Sequence, residues 1–150
     1  MAEVDRDPEV YFHKMLVAVD DSEDSKLAFK YAVHRAKKDH LGLAIVSILE
    51  SAEMNVYQAF SNDYVHGERE DLERHLEEYR HEAEDAGVEK VETFIGEGKP
   101  GDVIVHEAIP AIKPDLLIIG ARAKNSGAHV GSQAAYMVKH ARISVAVIRK

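Results

Sequence analysis

Four short runs of this chain are apolar almost without interruption: MLVAV at 15–19, LGLAIVSIL at 41–49, DLLIIG at 115–120 and ISVAVI at 143–148. A strand that alternates apolar and polar residues keeps one face in water, whereas an unbroken run is buried on both faces, as in a parallel sheet covered by helices on either side. Between the runs the period changes to that of a helix. Leu27, Ala28, Tyr31, Ala32 and Ala36 follow the first run, and Leu72, Leu76, Tyr79, Ala83 and Ala86 follow the second. Strands alternating with helices, joined by right-handed crossovers, predict an α/β fold: a doubly wound five-stranded parallel sheet flanked by about four helices.

Local signals set the expected boundaries. Asp21 or Ser22 supplies the N-cap of the first helix, which runs to about His40 with Gly42 as its stop. Residues 50–67 lose all periodicity and read as a long excursion carrying Tyr57, Phe60 and Tyr64, which form either a lid over a ligand or a tether to the core or to a dimer surface. A charged helix from Glu68 to Ala86 follows, with Gly87 as its C′ glycine. VEKVETFI alternates and so reads as a half-exposed or edge strand. The third helix runs from about Asp102 to Ile112 with Pro110 kinking or shortening its last turn, and the fourth from Ser132 to about Ala141. Residues 1–150 read as one domain, with 1–12 as an N-terminal extension and no internal repeat.

At 150 residues and 45% hydrophobic, the chain can bury a core without staples, and having no cysteine it can form no disulfide or thiolate site. Its 27 Asp+Glu outweigh 19 Lys+Arg, which argues against a nucleic-acid partner. No apolar run approaches the ~20 residues of a membrane span, and MAEVDRDPEVYFHK lacks the apolar region of a secretory signal. The expected location is the cytoplasm. Among the nine histidines, His34/His40 and His75/His81 are six apart, a spacing that does not share a helical face, so surface positions and no metal site are expected.

The stretch GARAKNSGAHVGSQ, Gly120 to Gln133, places glycines between a buried strand and a helix. In open α/β sheets ligands lie beyond the carboxyl ends of strands where the strand order reverses. Gly120, lacking Cβ, permits close approach of backbone or ligand. Gly131 and Ser132 open a helix whose free N–H groups and dipole favour an anion, with Ser132 serving as N-cap, phosphate ligand or both.

The residues LVAVDDSEDSKLAFKYAV, GEGKPGDVIVHEA, DLLIIGARA and GSQAAYMVKHARISVAVIRK, in this order and spacing, resemble the universal stress protein family over nearly the whole chain. The resemblance implies a homodimer through the C-terminal strand, around Val145 to Ile148, and in some members ATP binding. The binders share Gly, two residues, Gly, nine residues, Gly, Ser or Thr. Here Gly120, Gly131 and Ser132 match, Ala123 replaces the second glycine, and seven residues, KNSGAHV, replace the nine, with Gly127 among them.

Carried over by position, Ala18, Val19 and Asp20 lie near base and ribose, with Asp20 either hydrogen-bonding ribose or adenine or capping the next helix. Ile48 walls the adenine, and Ile119 and Gly120 lie beside the ribose. Ala123, Gly131, Ser132, Gln133 and Ala134 line the phosphates, whose charge is met by Arg122, Lys124 or magnesium. No nucleophile elbow or Walker lysine pattern is present. The expectation is a stress-response regulator that binds ATP between the first and fourth strands with at most slow hydrolysis. The alternative is a homodimeric interaction module of the same fold that binds no nucleotide.

Overall fold

The structure is a computed structural model that describes residues 11–50, 62–122 and 130–150, with residues 62–66 described in backbone only. Its strands are β1 (Lys14–Ala18), β2 (Gly42–Leu49), β3 (Val91–Glu97), β4 (Leu116–Gly120) and β5 (Ser144–Ile148), all parallel in the order β3-β2-β1-β4-β5. The helices are α1 (Glu23–Asp39), α2 (Asn62–Asp85), α3 (the consecutive segments Pro100–Val103, Ile104–Ala108 and Ile109–Ile112) and α4 (Ser132–His140). This is the doubly wound α/β sheet expected from the alternation of patterns.

Because side chains alternate across a strand, the unbroken apolar runs feed two cores. Met15, Val17, Leu43, Ile45 and Ile118 pack with Phe29 of α1 and Leu76 of α2 on one face. Leu16, Ala44, Val46, Leu117 and Ile119 pack with Ile104 of α3 and Met137 of α4 on the other. The alternating strand β3 is an edge strand, as its pattern requires. β5 forms the opposite edge, with Val147 exposed.

Two helix starts and two local details differ from expectation. Helix α1 is capped by Ser22, whose Oγ accepts from Ser25 N–H, and it ends at His40 as expected, but the stop is His40 itself in the left-handed region, while Gly42 opens β2. His40 supports that geometry because its own N–H and that of Leu41 both bond Ala36 O. Helix α2 begins at Asn62, six residues before the expected start, so the excursion after β2 ends short of Gly67. A Cβ on Gly67 would meet nothing within 4 Å; the helix passes through a poor helix former whose cost is only about 1 kcal/mol. Helix α3 begins at Pro100, in the first-turn position that needs no N–H. It runs unbroken past Pro110 because Ile104–Ala108 is a wide π turn, in which Ile109 N–H bonds Ile104 O, and that extra width relieves the crowding a proline imposes on the preceding turn. At the end of α2, Gly87 does adopt positive φ, with Val88 N–H returning to Ala83 O.

Candidate functional site

The strand order reverses between β1 and β4, which stand side by side with crossovers leaving in opposite directions. A cavity of about 240 Å³ lies at the carboxyl ends of β1, β2 and β4, bounded by the N-termini of α1, α3 and α4 and by one wall of α2. Ala18, Val19, Asp20, Ile48, Ile119, Gly120, Arg122, Gly131, Ser132, Gln133 and Ala134 all line it. Ala123 lies outside the described residues, as do Lys124, Gly127, Tyr57 and Phe60; Tyr64 falls in the first turn of α2.

Several of these residues also have structural work. Gly120 is the tightest: a Cβ there would stand 2.7 Å from Ser25 N and 2.8 Å from the carbonyl carbon of Asp24. The group that approaches it closely is the backbone of α1's first turn, which fixes the end of β4 against the start of α1. Arg122 forks onto Asp24, with Nε 2.8 Å from Oδ2 and Nη2 2.9 Å from Oδ1. The backbone N–H groups of Arg122 and Lys150 donate to the same carboxylate. Asp24 is 2% exposed, and the Arg122 hydrogen bond holds its pKa down at about 2 against desolvation, while Asp24 in turn raises that of Arg122. The guanidinium expected beside phosphate is thus already paired.

Gln133 Oε1 accepts the N–H of Gly101 at 2.8 Å, joining the starts of α3 and α4. Asp20 Oδ1 accepts from both the N–H and the Oγ of Ser22, and Asp20 N–H donates to Ser25 Oγ. Asp20 therefore supports the α1 cap through Ser22, and Oδ2 is the oxygen it keeps for other donors. Gly131, not Ser132, is the N-cap of α4, with Ser132 its first helical residue. The contrast with α1 is chemical. Ser22 closes the α1 terminus and Glu23 and Asp24 add negative charge in its first turn, whereas Gly131 has no side chain to cap with and the first turn of α4 carries no acid. The unclosed helix start, with its positive dipole end, borders the cavity.

The α2 wall escaped sequence reasoning. Leu72, His75, Leu76 and Tyr79 line the cavity. Tyr79 Oη donates to Asp21 Oδ1 at 2.6 Å, and His75 Nδ1 is 3.5 Å from Asp21 Oδ2. Burial and the Asp21 carboxylate push the Tyr79 phenol well above its usual value, so it remains a donor. Leu72, Leu76 and Tyr79 do show as the apolar stripe of a helix; that the stripe's upper end opens on a cavity follows only from how α2 docks. His34, His40, His75 and His81 are exposed, and no group of three or more His, Asp or Glu among the described residues is placed to hold a metal. No described helix is long and apolar enough to cross a membrane.

The relatives of the chain agree with this architecture. A Staphylococcus aureus (strain USA300) protein named as a universal stress protein is 30% identical over 142 residues, covering 93% of this chain and 86% of its own length. The universal stress protein UspA from Lactobacillus plantarum superposes with a TM-score of 0.80 at 25% identity, over 91% of this chain and 97% of that one. A universal stress protein family protein from Arabidopsis thaliana, solved with AMP bound, superposes with a TM-score of 0.65 at 25% identity, over 92% of this chain and 91% of its own. The model of the universal stress protein family matches residues 12–149. With the sheet order, the reversal cleft and the sequence agreeing over nearly its full length, this chain belongs to the universal stress protein family.

Proposed function

We propose that this chain is a cytoplasmic stress-response regulator that binds ATP in the cleft between β1 and β4 and does not turn it over efficiently. The observation that carries the reading is the unclosed N-terminus of α4 at the edge of the cavity, beside an α1 terminus that is closed and acidic. An anion belongs at the first and not at the second. The apolar part of the cavity, with Val46, Ile48, Leu72 and Leu76, suits a base. Asp20 Oδ2 suits ribose hydroxyls. Because Arg122 is committed to Asp24, the triphosphate charge is left to magnesium or to Lys124. The AMP-bound relative supports a nucleotide as the ligand class.

The second reading, an interaction module that binds no nucleotide, is favoured by the structural duties of Gly120, Arg122 and Gln133, each of which explains its residue without a ligand. Under either reading the apolar, half-exposed edge strand β5 is the proposed homodimer surface. Calorimetric titration of nucleotide-stripped protein with ATP and magnesium separates the two. Gly131 has φ −68° and ψ 156°, a backbone any residue adopts, so Gly131→Val adds bulk at the helix start without backbone strain. Micromolar binding that this variant abolishes supports the nucleotide reading; no binding by the parent protein leaves the interaction module.

A further inference from the structure

The loop after β1 holds Asp21 at φ 63°, a left-handed conformation that a residue with a side chain adopts at a cost. Two residues one turn apart on α2 face it there: Tyr79, which donates to Oδ1, and His75, 3.5 Å from Oδ2. Tyr79 is itself fixed by an edge contact with the ring of buried Phe29, centroids 4.8 Å apart. The tyrosine thus orients a carboxylate that lines the cavity, and the carboxylate's second oxygen is too far from His75 for a good hydrogen bond.

At this end of the cavity the acids Asp20, Asp21 and Glu50 disfavour phosphate, so a nucleotide with its phosphates at α4 places its base here, over Val46, Ile48 and Leu72. We propose that Asp21, positioned by Tyr79, is a specificity residue that accepts the exocyclic amine of an aminopurine base, with His75 beside it offering an N–H to a ring nitrogen. A carboxylate is an acceptor only, so a purine lacking the amine forfeits the charge-assisted hydrogen bond, and the oxygen returns to water at this exposed edge of the cavity. This inference rests on the nucleotide reading above.

The test compares AMP with purine riboside monophosphate, which lacks the 6-amino group, by calorimetry on the parent protein and on Asp21→Gly, a substitution that keeps positive φ available. Losing a hydrogen bond to a charged group at a site of this kind weakens binding about tenfold or more. The parent should therefore prefer AMP by that factor, and the preference should fall to about one in Asp21→Gly. Tyr79→Phe should give an intermediate preference. Binding of both ligands with equal affinity by the parent overturns the inference and leaves the nucleotide reading standing, as does a preference that persists in Asp21→Gly. Failure of both ligands to bind overturns the inference, and failure of ATP with magnesium to bind as well overturns the nucleotide reading with it.

Discussion

Replacing Arg122 with methionine should destabilise the fold in a pH-dependent way. The substitution removes the fork on Asp24 but leaves the carboxylate 2% exposed, with only the backbone N–H groups of residues 122 and 150 to satisfy it. Breaking a fully buried ion pair from one side costs about 3–5 kcal/mol. Here the Arg122 side chain is 26% exposed and two donors remain, so the expected loss is about 2–3 kcal/mol at pH 7, a fall in Tm of roughly 5–10 °C for a domain of this size. The pH dependence has a definite sign. Asp24 titrates at about 2 in the fold against an ordinary 3.8, chiefly because of Arg122. Its contribution is therefore complete above about pH 4 and is lost as the pH falls toward 2, in total roughly 2 kcal/mol. Urea unfolding of the parent and Arg122→Met from pH 7 to pH 2.5 should show the stability gap narrowing below about pH 4, because the variant has already lost the main cause of the depressed pKa. Adding Asp24→Asn to Arg122→Met should recover part of the loss, since an amide is cheaper to bury unpaired than a carboxylate. A gap under about 0.5 kcal/mol at pH 7, or one that does not change with pH, would refute the assignment of Asp24 as an Arg122-paired buried acid.

Gly120→Ala should cost about 1–3 kcal/mol in urea unfolding, because its Cβ would meet the backbone of Ser25 and Asp24 below 3.0 Å. Gly42→Ala is the control: its Cβ would meet only Lys14 Cγ at 3.6 Å, and equal costs at both positions would show that the approach of α1 to β4 is not the constraint. Val147→Lys, placed where β5 is exposed at the sheet edge, should shift sedimentation from dimer to monomer at micromolar concentration. A parent that already sediments as a monomer removes the dimer proposal.

The legible parts of the fold were those fixed by burial along a single element. MLVAV and DLLIIG are continuous because β1 and β4 have a core on each face, and VEKVETFI alternates because β3 is an edge. The lining that β1, β2, β4 and α4 give the cleft was legible too, through the order and spacing of the family's residues, whereas the α2 wall was not. What was not legible depends on partners far apart in sequence. Arg122 reads as a spare cation until Asp24, 98 residues away, takes it. Gly120 reads as room for either backbone or ligand, and only the fold shows that the first turn of α1 fills it. His75 reads as a surface residue, which it is, but the surface it occupies is the mouth of a cavity. The π turn before Pro110 illustrates a different limit: the proline signals a disturbance, and packing of Ile104 and Ala108 into the core decides that the helix widens rather than ends.

The short loop after β4 bears on the site less than its departures from the ATP-binding pattern imply. Both roots of that loop converge on Ala121: its N–H bonds Ile148 O at 2.7 Å, and its carbonyl accepts from Gly131 N–H at 2.8 Å. Arg122 N–H and Lys150 N–H are then drawn to Asp24. The start of α4 is thereby fixed to the ends of β4 and β5 and, through Asp24, to α1, by bonds that do not pass through residues 123–129. Two residues fewer between Ala123 and Gly131 shorten what spans the roots without moving the roots themselves. Under the proposed ATP reading, the cost of the shortening should fall on the distal phosphates, while the helix start and the cavity floor, held by these bonds, keep their places. A ligand with fewer phosphates should accordingly lose less affinity to the shorter loop than ATP does.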